Sequence, residues 1–144
     1  MQAEFSGMAP WKYDSEIIEC DTPRGLLDLH NDCVLETLTV CVGPPPSVVF
    51  TLHEPEGNHF QLVFHDVLEA SFAQDPDNAQ PRAHNWNAEE VSTVYGINYT
   101  DMGTDALPLF EIELITGVVT LRSPRVSLTW LGPGESCDGR PRQA

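Results

Sequence analysis

The sequence predicts a mostly β fold (α+β): an antiparallel β-sandwich or curled sheet of about six strands with one short helix. Three observations carry that prediction. Runs of alternating apolar and polar residues recur along the chain, turn residues separate them at roughly eight- to twelve-residue intervals, and apolar periodicity of helical type occurs only once. The chain has 144 residues, 41% of them hydrophobic, which is the size and content of one domain. A chain of that length buries roughly two thirds of its unfolded surface.

Residues 1–25 mix Gly, Pro and charge without a period and predict an irregular N-terminal arm, pinned to the domain by Met8, Trp11 and Tyr13. Residues 33–42 are rich in β-branched types and predict a strand, stopped by Gly43 and Pro44 to Pro46, since proline cannot donate to a ladder. Val48 to Glu54 and His59 to Val67 both alternate, and Pro55-Glu56-Gly57-Asn58 between them is a turn: proline presets φ, and Gly or Asn takes the positive-φ position. The two runs therefore form a hairpin.

Residues 73–87 are polar and rich in Pro, Asn and Asp, and predict a loop. Asn87 with Glu90 resembles a capping box, and Val91, Val94 and Tyr95 recur at helical spacing before Gly96, which predicts the short helix. Leu109 to Ile115 alternates Phe110, Ile112 and Leu114 against Glu111 and Glu113. Thr116-Gly117 turns the chain into Val118 to Arg122, Ser123-Pro124 breaks the run, and Val126, Leu128 and Trp130 mark a final strand. One β-rich domain over 26–131 with a flexible tail over 132–144 follows.

Charge is the most informative feature. The chain carries 22 acids and 7 bases, for a formal net charge of −15. Between Leu26 and Leu121 there are fifteen acids and one base, Arg82, a net of −14. A surface normally mixes signs. This one sets up a field that speeds encounter with a basic partner and disfavours nucleic acid or an anionic membrane. No secretory leader and no apolar run of membrane-spanning length is visible, so a cytoplasmic location is expected.

The chemistry-bearing residues form no catalytic pattern. Cys20, Cys33, Cys41 and Cys137 include no C-x-x-C pair. Cys33 and Cys41 are expected on one face of one strand, roughly 26 Å apart and too distant to bridge. His53 and His59 fall near-opposite across the hairpin turn, where two imidazoles and a carboxylate could bind a metal with His30 completing the set, but no local ligand motif supports it. There is no nucleophile elbow and no phosphate-cradling loop. The expectation is a protein that is not an enzyme, with no metal and no other cofactor.

Four segments resemble the immunity-protein-fifty family, small bacterial proteins that neutralise polymorphic toxins. They are Leu-His-Asn-Asp-Cys-Val-Leu at 29–35, Leu-Val-Phe-His-Asp-Val at 62–67, Phe-Glu-Ile-Glu-Leu at 110–114 and Val-Ser-Leu-Thr-Trp at 126–130. The family opens with aspartate directly after histidine, whereas Asn31 stands between them here. The resemblance spans roughly 26–131 and implies a toxin inhibitor. It transfers no contact residue, because immunity contacts differ from toxin to toxin.

The expected function is therefore a non-enzymatic acidic binding protein, an immunity protein that occludes a basic toxin domain. The alternative is a phage-encoded polyanion mimic that blocks a nucleic-acid-binding host defence protein. The expected contact surface comprises Asp75, Asp77, Glu89, Glu90, Glu111 and Glu113, with Trp86 as an aromatic anchor.

Overall fold

Every secondary-structure element among the described residues is a strand. The computed structural model describes residues 2–10, 16–55, 57–74, 94–114 and 117–133. In chain order the strands are β1 (Glu4–Ser6), β2 (Ala9–Pro10), β3 (Glu16–Ile17), β4 (Glu19–Thr22), β5 (Gly25–Asp28), β6 (Val34–Cys41), β7 (Ser47–His53), β8 (Asn58–His65), β9 (Glu69–Gln74), β10 (Val94–Thr100), β11 (Leu109–Leu114), β12 (Gly117–Arg122) and β13 (Arg125–Pro133). No helix among them is long and apolar enough to cross a membrane.

The strands build two five-stranded sheets and one small one. The first sheet has the order β1-β13-β8-β7-β6, the second β3-β10-β11-β12-β9, and the third β2-β4-β5. The expected hairpin is β7–β8, whose register pairs Phe50 with Leu62 and His53 with His59. Its turn is closed by hydrogen bonds from Glu54 N to Asn58 O and from Gly57 N to Glu54 O, with Gly57 at φ 90°. β11–β12 and the final strand β13 also stand where alternation placed them. Thr116 of the expected Thr116-Gly117 turn lies outside the described residues, as does 134–144 of the expected 132–144 tail; Gly117 already begins β12, and 132–133, expected to be flexible, pair with β8 as the end of β13.

The inner faces of the first two sheets meet in one apolar core. Phe50, Phe60 and Phe64 of the first sheet and Phe110 of the second are fully buried. Phe64 and Phe110 cross edge to face at 5.1 Å. Burial of each such side chain contributes about 1.5–3 kcal/mol, and the edge-to-face geometry adds about 1 kcal/mol. The break at Ser123-Pro124 is tied down from inside: the buried Ser123 hydroxyl bonds to His65 O at 2.6 Å, fixing the corner between β12 and β13.

Three expectations are corrected. Val94 and Tyr95, assigned to a helix ending before Gly96, begin strand β10; residues 87–93 lie outside the described residues. The strand carries a register shift between Val94 and Gly96 against β11, with Val94 buried and Tyr95 exposed. The first 25 residues are not irregular where described: β1 joins the first sheet, in parallel with β13, and β3 joins the second. Pairing with distant strands, which no local pattern announces, orders them. Finally, Cys33 and Cys41 do not share a face. Glu36 is an extra residue between the pairs Leu35–Leu52 and Thr37–Thr51, and this bulge inverts the alternation. Cys33 is buried and Cys41 exposed.

Residues 73–74, expected to open a loop, end strand β9. Its sequence, Glu-Ala-Ser-Phe-Ala-Gln, has little β character, and all six of its residues are exposed. β12 supplies the order by pairing with it from Gly117–Gln74 to Arg122–Glu69.

Candidate functional site

The wet face of the second sheet gathers carboxylates from strands far apart in sequence. Cross-strand pairing sets Glu16, Asn98, Glu111, Thr120 and Ser71 in one row. Glu113 lies in the neighbouring row, opposite Gly96. Gly96 leaves room for the Glu16 side chain, whose Oε1 would lie 2.6 Å from a Cβ there. Glu16 therefore leans over the row that holds Glu113. Asn98 Nδ2 donates to Glu113 Oε1 at 3.0 Å.

Glu111 and Glu113 thus stand on one rigid face as expected, both half-buried, and Glu16 joins them. Sequence reasoning missed Glu16 because it sits in the supposed arm; only pairing of β3 with β10 brings it there. Arg122 shares this face at its far end, paired with Glu69 at 3.5 Å and bonded to Leu107 O at 3.4 Å. Among the described residues no base faces the three central carboxylates. Like charges held on one sheet face repel, so the arrangement costs stability that a lysine in the same row would recover. Asp75, Asp77, Trp86, Glu89 and Glu90, the other expected contacts, lie outside the described residues.

A second cluster forms at the hairpin tip. The bulge at Glu36 turns its side chain toward β7 and β8, and the cross-strand pair His53 and His59 receives it. His53 Nδ1 lies 2.6 Å from Glu36 Oε1 and hydrogen-bonds to it. His59 Nδ1 lies 2.9 Å from the same oxygen but off the hydrogen-bonding direction, and is otherwise without a partner. One carboxylate oxygen between two imidazoles is a clamp across three strands. Among the described residues, no group of three His, Cys, Asp or Glu side chains is arranged to hold a metal ion. His30 does not join the pair and stacks on Tyr95 at 5.1 Å.

The remaining titratable groups serve local structure. Burial acts to raise the Asp28 carboxyl, but bonds from the backbone and side chain of Asn31 and from the His30 backbone outweigh it and hold the group below its ordinary value. This is a side-chain-capped turn leading into β6. His65 is pushed below its ordinary value by burial and then by Arg125, and its Nε2 lies 2.7 Å from Ser127 Oγ.

Comparison of the chain with family models, curated proteins and solved structures returned no match.

Proposed function

We propose that this chain is a non-enzymatic acidic binding protein that occludes a basic surface on a protein partner, and that the partner is a bacterial toxin domain, as the resemblance to immunity proteins implies. The observation that carries the reading is the uncompensated carboxylate face: Glu16, Glu111 and Glu113 on adjoining strands, with the only described base of that face already paired to Glu69. Rigid strands hold these charges in place before encounter, so little ordering entropy opposes docking. Steering by the net charge of −15 raises the association rate.

The test is double charge reversal, Glu111→Lys with Glu113→Lys, assayed against a basic toxin domain sought among the products of the genes neighbouring this chain's own. Stability is expected to hold or rise, while affinity falls by at least tenfold, about 1.4 kcal/mol. The wild-type association rate is expected to drop steeply as salt approaches about 0.15 M, where the screening length is only about 8 Å. Unchanged affinity in the reversal variant, or an association rate indifferent to salt, overturns the reading.

A further inference from the structure

Neither of the two large sheets is closed, and the two ends differ. At one end stand β6 and β9, the terminal strands of the first and second sheets. Leu38 and Val40 of β6 pair with Phe50 and Val48, so they lie on the core side of the first sheet; Ala70 and Phe72 of β9 pair with Leu121 and Val119 and lie on the core side of the second. These residues have the position of core side chains without the cover. Val40 is 58% exposed and Phe72 is 51% exposed. Between them runs an apolar groove of about 130 Å³, floored by Val48 and Val119.

Edge strands are ordinarily guarded by charge, proline or a bulge aimed at the edge. Among the described residues this end has no such guard in its centre, the bulge at Glu36 and the Glu69 carboxylate lying toward its ends. From Thr37 to Leu52 there is no acid or base, and β9 after Glu69 has none either. Beyond Glu36 and Glu69 the described strands of this edge carry no charge, and an open apolar row lies behind them.

Resting on the reading of this chain as a binder of basic proteins, we infer that the β9 edge accepts one extended segment of the partner as an added strand of the second sheet. The pleat dictates the segment's pattern. Alternate side chains pointing inward are apolar, because they must fill the groove and cover Leu38 and Val40. Those pointing outward are basic, because they extend the row that runs through Ser71 and Thr120 to Glu111, on the wet face where, among the described residues, only Glu69 is already paired, to Arg122. A second copy of this chain is disfavoured as the occupant, since two bodies each of net charge −15 repel.

The experiment uses defined peptides and the full chain. An octapeptide of alternating valine and lysine is titrated while the backbone amide resonances of β6 and β9 are followed. Its two controls are the alternating valine–glutamate peptide and a valine–lysine peptide N-methylated at every second residue, which keeps charge and side chains but cannot pair as a strand. The valine–lysine peptide is expected to bind and to shift β9 resonances, with both controls at least tenfold weaker. Phe72→Thr, at an exposed strand position, is expected to weaken it at least threefold. Equal binding of the N-methylated peptide means charge attraction without strand addition and overturns the inference. So does a dimer in sedimentation that Phe72→Thr disperses, which makes a second copy the occupant. If the peptide fails while the toxin domain still binds in a salt-dependent manner, this inference falls and the acidic-binder reading stands; if neither binds, both fall.

Discussion

The two ends of the sandwich solve the same problem in opposite ways. At the end formed by β1 and β3, the N-terminal residues seal the gap between the sheets. Phe5 meets Tyr99 edge-on at 5.9 Å and Phe110 at 6.4 Å, while Tyr99 and Phe110 stack at 5.1 Å. Ala3 N donates to Tyr99 Oη at 2.8 Å, and Met8 is buried. At the β6 and β9 end nothing equivalent covers the inner row among the described residues. β6, rich in β-branched residues, became a half-exposed edge, while the N-terminal segment, which has no such period, became the seal. What separates them is the presence of a second layer, because apolar residues are stabilised by burial and not by strand conformation as such.

Aromatic truncation at the two ends sharpens this contrast most. Phe110→Ala empties the sealed end and is expected to cost about 3–5 kcal/mol in urea unfolding. Phe72→Ala at the open end is expected to stay within about 0.5 kcal/mol of wild type, as for an exposed position. Comparable losses from the two would mean that the open end is covered in solution.

Gly7 offers the next largest effect. It sits at φ 74°, and a Cβ there would meet Leu128 O at 2.1 Å. Gly7→Ala is expected to cost at least the roughly 1–3 kcal/mol of a strained backbone. The loss is local to the seal, so hydrogen exchange should accelerate first in β1 and β13. Uniform acceleration across β6 and β9 would show that the two ends are not separable.

The smallest effect is one of reactivity with no change in stability. Burial, then the charge of Asp21, pushes the Cys20 thiol up to about 12. Burial also raises Cys33, with Glu54, Asp32, Cys20 and Asp28 adding to it. Neither carries thiolate near neutral pH. Cys41, exposed on the open edge, is expected to react with iodoacetamide in the native protein, while Cys20 and Cys33 react only after unfolding. Peptide mapping checks this, and early labelling of Cys20 would contradict a closed core.

What the sequence by itself determined was local. The alternation of Val48, Phe50 and Leu52 and of Phe60, Leu62 and Phe64 specified two strands, and Pro55 with Gly57 and Asn58 specified their turn, which together set His53 against His59. Phe110, Ile112 and Leu114 likewise specified which side of Glu111 and Glu113 would be wet. These follow from a period of two and from turn stereochemistry, both readable over a few residues. Tertiary structure decided the rest. The bulge at Glu36 exists only relative to β7, the strand from Val94 only relative to β11, and the place of Glu16 only relative to β10. Each depends on pairing between segments distant in the chain, whose hydrogen bonds and shared core override weak local preference, and a single sequence carries no local mark of its partner.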